Sequence, residues 1–331
     1  MSKLIGTLSR RTMLETGLAA AAAVALPTWG READASKLQI IKKKIPSTGE
    51  KVPVIGIGTN AFHMTDYDLL HEVLKRMHEL GGRVIETASG YRDSETVIGK
   101  ALEQDNFRKQ MFIATKCDVA GAMPGPQNGG PPLESVYGLE AFERSLTRLQ
   151  TDYVDLMQVH HLASLEAFMP VIQKLKKDGK VRYIGVTTVS TQEHPLQEHP
   201  QLIECMRKYP IDFIQVDYSL GNREVAQTVF PLARERKIAV MAAVPLGGHA
   251  GSLMNQISNR QLPSWAADID VASWSQFFLK YVISHPDVTC AIPGSTKLEH
   301  LEDDQGAGRG RMPNAALRKR MEEFWDNKDS A

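Results

Sequence analysis

Val84-Ile85-Glu86-Thr87-Ala88-Ser89-Gly90-Tyr91, continued by Arg92-Asp93-Ser94-Glu95, puts a carboxylate at the end of a short apolar run and a tyrosine five residues beyond it. The arrangement recurs along the chain. Lys116 follows the apolar Phe112-Ile113-Ala114, and His160 closes the mostly apolar run 156–159. A tyrosine, a lysine, a histidine and a carboxylate at or near successive strand ends make a proton-donor site wherever those ends converge. They converge in a barrel of parallel strands, whose chemistry sits on the face where the strands finish.

Working outward, apolar runs at 54–58, 83–87, 111–116, 153–160, 181–187, 213–218, 238–244 and 288–292 read as strands. Amphipathic stretches separate them. In 66–80, Leu69, Leu70, Val73, Leu74, Met77 and Leu80 fall on one helical face, and similar patterns occupy 94–104, 135–149, 164–177, 201–208, 225–236 and 273–284. A last helix is expected at 314–325. Strands alternating with helices in this number give an α/β fold, a (β/α)8 TIM barrel over residues 36–331. A doubly wound sheet competes, but no Gly-x-Gly-x-x-Gly follows a strand and opens a helix. Two long segments, the Gly- and Pro-rich 118–132 and 247–268, follow the third and seventh strands and are expected to overhang the active-site face. His160 and His161, as neighbours on a strand, are expected to point to opposite faces, so that one enters the site.

Composition narrows the function. The chain has 331 residues, 42% hydrophobic, with 39 basic against 39 acidic side chains. That balance, without a basic run interleaved with aromatics, offers no electrostatic footprint for nucleic acid. Cys117, Cys205 and Cys290 are odd in number and far apart, which argues against a disulfide framework and for small buried hydrophobes. No His, Cys and carboxylate cluster has ligand spacing, so no metal is expected. Ahead of the barrel, Ser9-Arg10-Arg11-Thr12-Met13-Leu14 precedes an Ala-rich stretch, 17–26, and Ala33-Asp34-Ala35 offers a cleavage pattern. Residues 1–35 therefore read as a twin-arginine signal peptide, with the export machinery as a partner and the periplasm as destination. The Ala-rich run is too short for a mature membrane span, which needs about 20 residues.

The segment around Tyr91 resembles the aldo-keto reductase superfamily, whose members carry Asp-Thr-Ala-x-x-Tyr-Gly-x-Ser-Glu. The resemblance continues through Ile113-Ala114-Thr115-Lys116, Asp155-Leu156-Met157-Gln158-Val159-His160 and Arg182-Tyr183-Ile184-Gly185-Val186. It extends to Gln215-Val216-Asp217-Tyr218-Ser219, Pro245-Leu246-Gly247 and Ile292-Pro293-Gly294-Ser295, covering about 51–304. It implies reduction of a small carbonyl substrate with NADPH, NADH being possible. Tyr91 would give the proton, Lys116 would tune it, Glu86 would hold Lys116, and His160 would orient the substrate. A free tyrosine has a pKa of about 10, so a nearby cation is needed to draw its proton off near neutrality.

The resemblance also implies a cofactor set. Gln215 matches a ligand of the nicotinamide carboxamide, and Pro245, Leu246 and Gly247 match a segment passing the pyrophosphate. Ser295, Thr296 and Lys297 match the holder of the 2′-phosphate, with His300 where an arginine is common. Thr59, Thr187, Thr188, Asp303 and Asp304 complete the set. Glu86 stands for the usual aspartate, Thr187-Thr188 for Ser-Asn, and Ala243 for a tyrosine that stacks on the nicotinamide. The changes at Thr188 and Ala243 motivate the alternative, a nucleotide-binding regulatory protein on the same barrel.

Overall fold

A computed structural model describes residues 38–117, 135–188, 199–248, 251–257 and 260–328. The described chain opens with an antiparallel hairpin, β1 (Lys42–Lys44) and β2 (Lys51–Pro53). Eight parallel strands follow: β3 (Ile57–Gly58), β4 (Val84–Glu86), β5 (Phe112–Cys117), β6 (Val154–Val159), β7 (Val181–Thr188), β8 (Phe213–Asp217), β9 (Ala239–Ala243) and β10 (Val288–Ala291). Each pairs with the next in chain order. The first and last also meet: Gly56 and Gly58 donate their N–H groups to the carbonyls of Ala291 and Pro293, both at 2.9 Å. The result is the expected (β/α)8 barrel, and each of the eight apolar runs supplies one of its strands.

Helices α1 (Tyr67–Glu79), α2 (Ser94–Gln104), α3 (Ser135–Leu149), α4 (Leu165–Lys177) and α5 (His199–Lys208) each follow a strand. The helix expected over 225–236 is divided into α6 (Val225–Thr228) and α7 (Phe230–Glu235), because Pro231 has no N–H to continue the ladder. The segment 247–268 is not structureless: it holds α8 (Leu253–Ile257) and begins a 3-10 turn, Ser264–Ile269. Then come α9 (Trp274–Ser284), α10 (Leu298–Ala307) and α11 (Ala315–Asp326). The sequence pattern predicts α11 but not α8, α10 or the hairpin. The loop expected at 118–132 and the leader 1–35 lie outside the described residues.

The alternation of side chains along each strand builds two cores. Outward residues such as Ile85, Ile113, Met157, Ile184, Ile214 and Val240 pack under the helices against Val73, Leu74, Ile98 and Phe168. Inward residues Val84, Phe112, Ala114, Leu156, Tyr183, Phe213, Met241 and Cys290 fill the barrel, with Ile45 and Val52 of the hairpin joining them. Burying each large side chain stabilises by roughly 1.5–3 kcal/mol. The hairpin is fixed by polar bonds as well: the Tyr183 hydroxyl lies 2.6 Å from Glu50 and 2.9 Å from Thr48, and Arg182 donates to Glu50. All three cysteines are buried, as expected, and burial pushes the thiols of Cys205 and Cys290 up to about 12. Among the described residues no helix is long and apolar enough to cross a membrane, and no His, Cys, Asp and Glu group could hold a metal.

Candidate active site

One step beyond the apolar interior, the same two-residue period changes chemistry. Glu86 follows Val84, Lys116 follows Ala114, Gln158 follows Leu156 and Gln215 follows Phe213. All four inward positions are buried, so the barrel is apolar below and polar at the mouth. Buried polar groups must find partners, and here they find one another. The Lys116 ammonium, fully buried, donates to Glu86, to the Thr87 carbonyl at 3.0 Å and to the Tyr91 hydroxyl at 3.1 Å. These three acceptors match its three protons. Burial pushes the ammonium toward the neutral amine. The Glu86 carboxylate, and then the Tyr91 oxygen, oppose this and hold Lys116 above the ordinary lysine value.

Tyr91 is not on a strand but in the turn between β4 and α2, and several bonds set that turn. Ser94 N–H donates to the Tyr91 carbonyl at 2.9 Å, and Arg148 of α3 donates to the Ser89 carbonyl at 2.9 Å. Beneath it the hydroxyls of Thr59, Ser94 and Thr87 are linked, at 2.6 and 2.9 Å. The His160 ring meets Tyr91 edge-on, with centroids 5.7 Å apart. The expected opposition of His160 and His161 does not occur. β6 ends at Val159, so strand alternation stops before them, and their rings stack with centroids 4.4 Å apart. The sequence pattern alone does not single out Gln158 for the site. Its signal was a buried amide in an inward position directly above Leu156. Gln158 Nε2 donates to Gln215 Oε1 at 2.9 Å, and Gln215 Nε2 donates to Glu86 at 3.1 Å.

The residues assigned to a cofactor fall into groups. Thr187 and Thr188 end β7 beside Gln215 and Val216 of β8. Thr187 Oγ1 and Ser295 Oγ are both buried without a hydrogen-bond partner among the described residues. Ser295, Thr296 and Lys297 lead into α10, with Lys297 at its N-cap and His300 exposed in its first turn. Pro245, Leu246 and Gly247 follow β9, next to Val244, whose φ of +42° is a strained conformation for a β-branched residue. The others are engaged elsewhere. The Thr59 hydroxyl donates to the Glu86 carbonyl, bracing the Tyr91 turn. Asp303 accepts from Ser273 and Gln276 of the α9 N-terminus. Asp304 accepts from Ser275, and burial, with the Asp303 charge adding, pushes its carboxyl up to about 7.

Residues 54–315 match the Aldo/keto reductase family. The chain belongs to that family. The methylglyoxal reductase YeaE of Escherichia coli is 30% identical over 284 residues, covering 83% of this chain and 93% of its own. A probable aldo-keto reductase 1 of Glycine max is 27% identical over 323 residues, covering 87% of this chain and 90% of the relative. Among solved structures, an aldo/keto reductase of Klebsiella pneumoniae in complex with NADPH is 25% identical with a TM-score of 0.63, covering 86% of this chain and 96% of that one. The aldo-keto reductase AKR11C1 of Bacillus halodurans reaches a TM-score of 0.68 at 22% identity, with the same coverage.

As an aldo/keto reductase, this chain is an NAD(P)H-dependent carbonyl oxidoreductase. Its own residues fit a phosphorylated nicotinamide nucleotide. The orphaned hydroxyls of Thr187 and Ser295 are acceptors or donors waiting for a partner. The free N–H groups at the start of α10, with the Lys297 side chain nearby, suit a phosphate.

Proposed function

We propose that this aldo/keto reductase reduces an aldehyde or ketone to an alcohol with NADPH, and that Tyr91 gives the proton to the carbonyl oxygen. The observation that carries the reading is the Tyr91 hydroxyl 3.1 Å from a fully buried lysine ammonium. NADPH supplies the hydride for the carbonyl carbon. The protein supplies the rest. Lys116 stabilises the tyrosinate that remains once the proton has gone, because a cation at this distance favours the charged phenolate. Glu86 keeps Lys116 charged and aimed. His160, edge-on to Tyr91, donates to the substrate oxygen and holds it within reach of the phenol. Thr187, Thr188 and Gln215 would hold the nicotinamide end, and Pro245, Leu246 and Gly247 the pyrophosphate. Ser295, Thr296, Lys297 and His300 would hold the 2′-phosphate.

The name of the Escherichia coli relative and the NADPH complex of the Klebsiella neighbour support this reading. The test is NADPH oxidation on a panel of aldehydes and ketones, including 2-oxoaldehydes. Tyr91→Phe is expected to abolish turnover while leaving NADPH affinity within about twofold; unaltered turnover would remove Tyr91 from the role. A second reading rests on Ala243, which leaves no aromatic ring where β9 ends: a barrel that binds the nucleotide and turns over little. Saturable NADPH binding without turnover across the panel would favour it. Ser9 to Leu14 and the Ala33-Asp34-Ala35 pattern support export of the folded protein to the periplasm. Accumulation of the Arg10→Lys, Arg11→Lys variant in the cytoplasm is the expected result; unchanged fractionation would discard the signal.

A further inference from the structure

The carboxylate of Glu86 can only accept hydrogen bonds, and this dictates the direction of every amide behind it. Gln215 must therefore present its NH2 to Glu86, as it does at 3.1 Å. Its carbonyl oxygen then faces away and needs a donor. Gln158 provides one, Nε2 to Oε1 at 2.9 Å. With its NH2 committed, the Gln158 carbonyl oxygen is left buried without a partner among the described residues. A buried acceptor without a partner is unfavourable by about 1–3 kcal/mol, so this glutamine is poorly explained as filler for the barrel. Turning either amide over would set oxygen against oxygen.

The strands are built to let this bridge form. β7 lies between β6 and β8, and the inward position it offers opposite Gln158 is Gly185. A Cβ at Gly185 would come within 2.5 Å of the Phe213 carbonyl oxygen, so no other residue fits there without displacing β8. The absent side chain leaves room for the two glutamines to meet across β7.

We propose that Gln158 is a positioning residue: it holds the Gln215 amide against Glu86 and, through Glu86 and Lys116, sets how readily Tyr91 yields its proton. While Gln215 donates to Glu86, part of the carboxylate charge is taken up by the amide, and more of the Lys116 field reaches the Tyr91 oxygen. Without Gln158 the Gln215 carbonyl oxygen loses its donor, and the amide is held at its NH2 end alone. Its bond to Glu86 loosens, more of the Glu86 charge falls on Lys116, and the tyrosinate loses support. The inference rests on Tyr91 as proton donor, and its test does not depend on turnover.

The test is an ultraviolet titration of tyrosinate in the full-length, nucleotide-free protein, with the Tyr91→Phe titration subtracted to isolate the Tyr91 step. Gln158→Leu is expected to move that step upward by about one pH unit, the size of a hydrogen bond to a buried charge. Gln158→Met, unbranched and of similar length, gives the same reading should the leucine variant fold poorly. In a Gln215→Leu background the Gln158 substitution is expected to add nothing, because the go-between is gone. An unmoved Tyr91 step in both Gln158 variants, or the same shift with and without Gln215, overturns the proposal. Loss of turnover in Tyr91→Phe is a separate result that bears on the proton donor alone.

Discussion

At the scale of single residues, the length of Glu86 decides how the polar mouth is wired. The carboxylate reaches both Lys116 and Gln215, two groups on different strands. An aspartate keeps the charge but withdraws it by one methylene toward β4, so it cannot serve both. Glu86→Asp is expected to lower kcat by up to about 10²-fold, the effect of misplacing a catalytic group by roughly 1 Å, and to lower stability by about 1–3 kcal/mol through the buried partner it leaves unpaired. Steady-state kinetics beside thermal unfolding would show it; full activity would mean that the contact to Gln215 has no part in turnover. The resemblance makes Tyr91, Lys116, His160 and Glu86 legible in the sequence, and the barrel brings them together. Gln158 was not legible as a partner, because its role depends on a neighbour 57 positions away that only the barrel brings near. The two histidines depart from the expected opposition for a similar reason. Alternation is a rule for strands, and β6 stops one residue short of His160.

At the scale of elements, strands buried on both faces write themselves into the sequence as apolar runs, and all eight could be seen. The hairpin and α10 leave no such trace, because they are polar on the outside. The hairpin reads Lys42-Lys43-Lys44 and Lys51, and α10 reads Leu-Glu-His-Leu-Glu-Asp-Asp-Gln-Gly-Ala, with few apolar residues to show a period. Within α10, Asp304 packs against α9 and is almost fully buried, held by Ser275 at 2.5 Å. Its carboxyl ionises at about 7 in the folded protein against an ordinary 3.8, chiefly because burial disfavours the anion. A carboxyl with a raised folded-state value favours folding fully only below its unfolded value. That contribution therefore drains away between about pH 4 and pH 7. Asp304→Asn keeps an oxygen for Ser275 and carries no charge. It should match the parent near pH 4 and exceed it at pH 8 by up to about 4 kcal/mol. Denaturant unfolding across that range measures this, and parallel curves for the two proteins would show that Asp304 is not the group responsible.

At the scale of the whole barrel, the two ends carry different duties. The interior is one continuous apolar column, from Ile45 and Val52 of the hairpin through Phe112, Leu156 and Phe213 to Ala243 and Ile292. The polar residues that do chemistry follow Val84, Ala114, Leu156 and Phe213 toward the end where the strands finish. The near end is a plug, pinned by Glu50 and Thr48 to Tyr183 and by Lys43, whose ammonium donates to the carbonyls of His285 and Val288 at 2.6 and 2.7 Å. In such barrels the face where strands begin serves stability and the face where they end serves catalysis. Ile45 is fully buried at the plug. Ile45→Ala removes packing and leaves a cavity that rigid strands cannot close, a loss of about 2–5 kcal/mol. Because the column separates the plug from Lys116 and Tyr91, kcat at a temperature where the variant remains folded should stay within about twofold of the parent. Glu86→Asp should weight the two the other way, lowering turnover by up to about 10²-fold for a smaller loss of stability. Measuring unfolding and kinetics on both variants tests the division directly. A fall in kcat in folded Ile45→Ala would mean that strain at the plug travels up the strands to the mouth, and that the two ends are mechanically one.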